Sequence, residues 1–120
     1  MPNPWLEQLR GYAFTFEGTW EDFPWGHESP VFKNGSAKIF AMTGIDESTG
    51  NLIATVKLAP DEASAALMLP FVTKAAYVGR YGWVTVQVQD QPQFDILIDW
   101  VARSHALVRK PAKKPRMPKL

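Results

Sequence analysis

The chain reads as an α+β domain, an antiparallel sheet with helices packed on one of its faces. Three observations lead there. Alternating apolar residues, mixed with glycines and isolated basic side chains, run through residues 31–44 and again through 77–88, and such alternation marks hairpin strands half buried against a core. Asn34-Gly35 stands between two of these runs, and Asn-Gly readily takes the positive φ angles that a tight hairpin needs at both central residues. The strand candidates are grouped between helix candidates, the arrangement expected of an α+β layer.

The first element is a short helix. Asn3 is its N-cap and Pro4 its first residue, after which Trp5, Leu9, Tyr12 and Ala13 share one face. Gly18 and the segment Asp22-Phe23-Pro24 prevent its extension. Three strands follow over residues 30–33, 37–42 and 51–58, separated by the Asn-Gly turn and by the polar loop Asp46-Glu47-Ser48-Thr49-Gly50. Sequential antiparallel pairing is the economical topology. Acids begin, alanines fill and Pro70 stops a second short helix from Asp61 to about Leu69.

After this come one or more strands. The run 83–88 sorts Val84, Val86 and Val88 to one face and Trp83, Thr85 and Gln87 to the other, as in a sheet covered on one side. The closing helix starts from a capping arrangement at Asp90 to Gln93 and carries the stripe Phe94, Leu97, Ile98, Val101, His105 and Val108, widened by Ile96, Trp100 and Leu107. His105 lies on that stripe and reads as a packing residue.

At 120 residues the chain suits a single core burying about two thirds of its unfolded surface. Residues 1–108 form the domain and 109–120 a basic, Pro-rich tail. No run approaches the ~18 apolar residues that span a bilayer. The start, Met1-Pro2-Asn3-Pro4, is neither basic nor followed by an apolar core, so a cytoplasmic location without membrane contact is expected. Cysteine is absent, which removes disulfides and thiolate metal sites.

The net charge of +1 hides an asymmetry. The domain holds seven basic residues and all twelve acids, a net of −5, while the tail carries Arg109, Lys110, Lys113, Lys114, Arg116 and Lys119 and no acid. With Pro111, Pro115 and Pro118 and few large apolar groups, the tail is expected to be disordered. It serves either as a solubilising end or as an attractor of polyanions, since phosphate neutralisation with counterion release needs no fold.

Catalytic and metal-binding patterns do not assemble. His27-Glu28 is followed by Pro30 and by Val31 at the place of a second zinc-binding His. The loop 46–51 has its glycine one position early for calcium, and Lys57 stands where a bidentate Glu is required. The pairs Glu21-Asp22, Asp46-Glu47 and Asp61-Glu62 fall at turns and helix starts, where carboxylates cap. No serine sits in a nucleophile elbow, and Gly79 and Gly82 lead into no Gly-Lys-Ser/Thr phosphate loop. The expectation is a non-enzymatic protein without cofactor or metal. The aromatics around Trp20, Phe23 and Trp25 offer an alternative, an apolar patch for a protein partner or small ligand.

Residues 23–42 (FPWGHESPVFKNGSAKIFAM), 77–88 (YVGRYGWVTVQV) and 93–108, with the pattern Ser-x-x-Leu-Val from Ser104 to Val108, resemble the hallmark regions of the MmcQ/YjbR family in the family's order. The resemblance covers residues 5–108 and implies a CyaY-like α+β fold and DNA binding by two hairpin wings. It places Lys33 and Lys38 about the Asn34-Gly35 turn and Arg80 in the loop before the last strand, as contacts to phosphate that position without reading sequence. Arg80 serves equally as a partner for an acid of the domain. Trp25, Phe32, Phe40, Tyr77 and Trp83, also in the hallmark regions, read as packing residues before base-stacking ones. The CyaY-like fold also invites comparison with iron-binding frataxins, but Glu7, Glu17, Glu21 and Asp22 form no dense carboxylate run.

Overall fold

The computed structural model describes residues 3–24, 29–75 and 81–109. Helix α1 (Pro4–Ala13) starts as expected: Asn3 Oδ1 accepts from the backbone N–H groups of Trp5 (2.9 Å) and Leu6 (3.2 Å), satisfying two of the donors that a helix start leaves open. Strands β1 (Trp20–Asp22), β2 (Val31–Lys33), β3 (Ile39–Ile45) and β4 (Leu52–Lys57) follow. Helix α2 (Pro60–Ala66), strands β5 (Val72–Lys74) and β6 (Trp83–Val88) and helix α3 (Gln91–Arg109) complete the chain.

The six strands form one antiparallel sheet in the order β1-β2-β3-β4-β6-β5. The first four make a meander, and β5 sits outside β6. Between α1 and α2 there are thus four strands where the sequence predicts three. The additional strand β1 is only three residues long, too short for alternation to register, and is held by pairing Trp20 with Lys33 and Asp22 with Val31. The second hairpin pairs β5 with β6. Its inner strand matches the predicted run 83–88, and its outer strand lies upstream of Tyr77, which is outside the described residues. Helix α2 ends at Ala66, short of the predicted Leu69.

Helices α1 and α3 cover one face. Val84, Val86 and Val88 of β6, Leu52, Ala54 and Val56 of β4, and Phe32 and Phe40 are buried there against Leu9, Leu97 and Val101. The partner positions Ile53, Thr55 and Lys57, and Trp83, Thr85 and Gln87, lie half-buried on the other face. α3 begins as predicted: Asp90 Oδ1 accepts from the Gln93 N–H (3.0 Å), and Gln93 Oε1 from the Gln89 N–H (2.7 Å). No described helix is long and apolar enough to cross a membrane.

The β2–β3 hairpin is present, but its turn differs from the expected one. Gly35 takes no positive φ, and it is Ala37 that does (64°). Asn34 turns inward, 5 % exposed, and its Oδ1 accepts from the N–H groups of Ser36 (2.9 Å) and Lys38 (3.0 Å). Asn34 N–H donates to Lys38 O, and Ala37 N–H to Asn34 O (both 2.9 Å). These bonds favour a wider loop closed by a left-handed residue over a two-residue turn. An L-residue in that conformation costs ~1–2 kcal/mol, offset in part by the chain entropy of glycine. Ala37→Gly is therefore expected to stabilise the fold by up to about 1 kcal/mol, read as a higher urea midpoint at unchanged slope; an unchanged or lower midpoint contradicts this.

Candidate functional site

Strand register divides the sheet into two ends of different charge. β4 runs opposite to β3 and β6, with Ile45 beside Leu52, Leu52 beside Val88, and Lys57 beside Trp83. One end therefore holds the β3–β4 turn, the exit of β6 and the start of α3. The start of α1 joins them, since Asn3 Nδ2 donates to Gly50 O (3.3 Å). Asp46, Glu47, Asp90 and Glu7 gather there, with Asp95 in the second turn of α3. Among the described residues no Lys belongs to this end, and Arg10 reaches back along α1 to Glu7 (3.4 Å).

The opposite end holds the β2–β3 loop, the start of β1, the exits of β4 and β5, the start of β6 and the C-terminus of α3. That last placement follows from Ser104, fully buried, whose hydroxyl accepts from Lys57 N–H (2.9 Å) and donates to Phe40 O (2.7 Å). Arg109 closes the helix little more than one turn further on. Lys33, Lys38, Lys57, Lys74 and Arg109 thus share this end, four of them on four different elements and Lys38 in a loop. Its acids are Glu17, Asp22 beside Lys33 and, at the start of α2, Asp61 and Glu62.

Pairing separates these cations into committed and uncommitted ones. Lys33 Nζ lies 2.8 Å from Asp22 Oδ2 and 5.0 Å from the centre of the Trp20 ring. The Lys33 ammonium, followed by the Phe23 N–H, holds the Asp22 carboxyl below the usual range. Arg103, one residue before Ser104, bridges Asp99 and Glu62, and away from this end Arg10 grips Glu21 in a fork (2.6 and 2.9 Å). Lys38, Lys57, Lys74 and Arg109 make no ion pair among the described residues. Lys38, Lys74 and Arg109 are exposed and Lys57 is half-buried. His105 adds no charge: it stacks on Phe16 (4.3 Å, 18°) and meets the edge of Phe40 (4.8 Å), and burial, followed by the nearby Arg109, pushes its pKa down.

The YjbR family model matches residues 14–107. The chain belongs to the YjbR family. Helix α1 lies before the matched range, so the whole sheet and α3 almost to its end form the shared part. The fold of this YjbR domain is similar to that of DR2400 from Deinococcus radiodurans, described with a DUF419 domain, at TM-score 0.72 and 21% identity over 92% of this chain and 83% of that one. A structural-genomics target from Pseudomonas syringae is similar at TM-score 0.61 and 20% identity, over 79% of this chain and 93% of its own. No curated relative matches the chain.

Within the YjbR domain, the residues singled out from sequence fare differently. Lys38 is in the hairpin loop, as expected. Lys33 ends strand β2, beside the loop, and is tied to Asp22. Arg109 ends α3 at the same end as Lys38, whereas Arg80, Lys110, Lys113, Lys114, Arg116 and Lys119 lie outside the described residues, as do Trp25, Tyr77, His27 and Glu28. Ala75 and Tyr81, which flank the segment containing Arg80, are both at the basic end, Ala75 N–H donating to Trp83 O (3.2 Å). Phe32 and Phe40 are core residues, as read.

Lys57 and Lys74 were not singled out. Each is an isolated Lys at a strand end, and only the pairing of Lys57 with Trp83 and of Lys74 with Val84 reveals that they share an end of the sheet with Lys38. Among the described residues no group of three or more His, Asp or Glu is placed to hold a metal. Asp46, in the loop compared with a calcium site, is engaged within the protein by Ser48 and by Gln87 (3.0 Å). Those bonds, Ser48 foremost, lower its pKa. Trp20 and Phe23, from the proposed aromatic patch, are 41 % and 37 % exposed.

Proposed function

We propose that this YjbR-family chain is a non-enzymatic nucleic-acid-binding protein that contacts phosphates weakly and largely without regard to sequence. The observation that carries the reading is the segregation of charge along the strands. A domain with a net charge of −5 ordinarily repels a polyanion, but here Asp46, Glu47, Asp90, Asp95 and Glu7 are collected at the far end, leaving Lys38, Lys57, Lys74 and Arg109 unopposed by ion pairs among the described residues. The six cations from Arg109 onward continue the chain from the same end. A polyanion approaching along the strand axis meets an attractive field at one end and a repulsive one at the other, which orients it before contact.

The test is duplex binding followed by fluorescence anisotropy across salt. Affinity is expected to fall steeply between about 50 and 200 mM, with a log–log slope near −0.9 for each phosphate neutralised. Lys38→Glu and removal of the residues after Arg109 are each expected to flatten that slope, Lys38→Glu by roughly 1. Arg103→Gln, which removes a cation already held by Asp99 and Glu62, should leave it unchanged. Absence of binding at low salt, or a slope that Lys38→Glu does not change, overturns the reading.

A further inference from the structure

The basic end also displays flat aromatic surface, and this bears on which form of nucleic acid it fits. Trp20 is 41 % exposed, Phe14 46 % and Tyr81 55 %. All three belong to that end: Trp20 begins β1 opposite Lys33, Phe14 follows the last turn of α1, and Tyr81 precedes β6. A large apolar residue left in water among cations forgoes about 1.5–3 kcal/mol that full burial would return. Trp20 is nevertheless firmly placed. Its Nε1–H donates to Asn34 O (3.1 Å), and the Lys33 ammonium lies over the ring, 5.0 Å from its centre. β1 is the edge of the sheet, so Lys33 reaches the indole from the neighbouring strand, and among the described residues no strand stands on the other side of β1.

We infer that Trp20 is a stacking platform for an unpaired base and that the basic end therefore prefers single-stranded nucleic acid to duplex. This rests on the reading above that the same end contacts phosphates. In a duplex the π-faces of the bases are consumed by their neighbours and only the backbone is offered to Lys38, Lys57 and Lys74. A single strand offers both backbone and base faces, and a base stacked on an aromatic ring adds to the phosphate contacts without reading sequence. The hydrogen bond to Asn34 and the ion pair that anchors Lys33 fix the indole before the ligand arrives, so little side-chain freedom remains to be lost on binding.

The experiment compares a labelled mixed-sequence single strand with a duplex of the same length, at one salt concentration, using the full chain. The single strand is expected to bind at least about fivefold tighter. Trp20→Leu, which keeps apolar bulk but removes the flat ring, should abolish that ratio, and Trp20→Phe should keep most of it; circular dichroism verifies that both variants fold. Equal affinity for the two forms, or a single-strand advantage that Trp20→Leu leaves intact, overturns the stacking role while the phosphate reading stands. If neither form binds at low salt, both fail. If Trp20→Leu proves unable to fold, equal affinity of the wild type for the two forms still overturns the preference, and Trp20→Ala takes the place of Trp20→Leu in assigning it to Trp20.

Discussion

Gly82→Ala is expected to destabilise the domain by about 3–5 kcal/mol, a large share of the stability of a chain this size. Two costs combine. Gly82 holds φ at +93°, where an L-residue is strained, and a methyl group there would lie 2.4 Å from the carbonyl oxygen of Leu58. That oxygen is backbone, and it cannot retreat without pulling on the Leu58 N–H, which donates to Gly82 O (2.9 Å). Gly50→Ala separates the two costs. Gly50 also has a positive φ (75°), but nothing lies within 4 Å of its added carbon, so its loss should be limited to about 1–2 kcal/mol. Chemical denaturation of both variants checks this, and equal losses would show that the contact with Leu58 relaxes without penalty.

Ser104→Ala is expected to cost about 2–4 kcal/mol, because it strands two backbone groups at once, one buried and one partly buried. The β3–β4 ladder runs from Ile45 and Leu52 to Met42 and Thr55. Continued by one more pair of residues on the same face, it would set Phe40 opposite Lys57. A register shift between β2 and β3 displaces the strand near this point, and the Ser104 hydroxyl fills the opening, bonding Lys57 N–H and Phe40 O. The variant should melt lower and exchange the Lys57 amide proton faster, with distant strand amides such as Ile53 changing only through global stability. A loss below about 0.5 kcal/mol would mean that water replaces the hydroxyl.

How much of this was legible beforehand depended on whether a residue's role is local or set by register. The Asn3 cap, the Asp90–Gln93 cap, the alternation of Val84, Val86 and Val88 and the stripe on α3 are relations among neighbours, and the structure contains all of them. β1 and β5 are three residues each, and their existence depends on partners nine or more residues away. The Asn34-Gly35 signal located the hairpin correctly but not the turn, because the Asn34 side chain found two backbone donors that a propensity rule does not see. Ser104 was marked only as the start of the Ser-x-x-Leu-Val pattern, with no sign of its bonding; its partners, Phe40 and Lys57, are 64 and 47 residues distant. The charged end was half visible. Lys38 and the tail stood out as hairpin and terminal cations, while Lys57 and Lys74 joined them only once the strands were aligned.

The brevity of β1 and β5 has a further effect on the behaviour of the chain in a crowded cell. The long, strongly apolar strands β3, β4 and β6 lie inside the sheet, and each margin is closed by a stub of three residues, one bearing Asp22 and the other Lys74. An incoming strand would find only a few free amide and carbonyl groups to zip onto, beside a charge at either rim. The protein should therefore resist fibre growth and edge-to-edge association while leaving its cationic tip open to a soluble polymer.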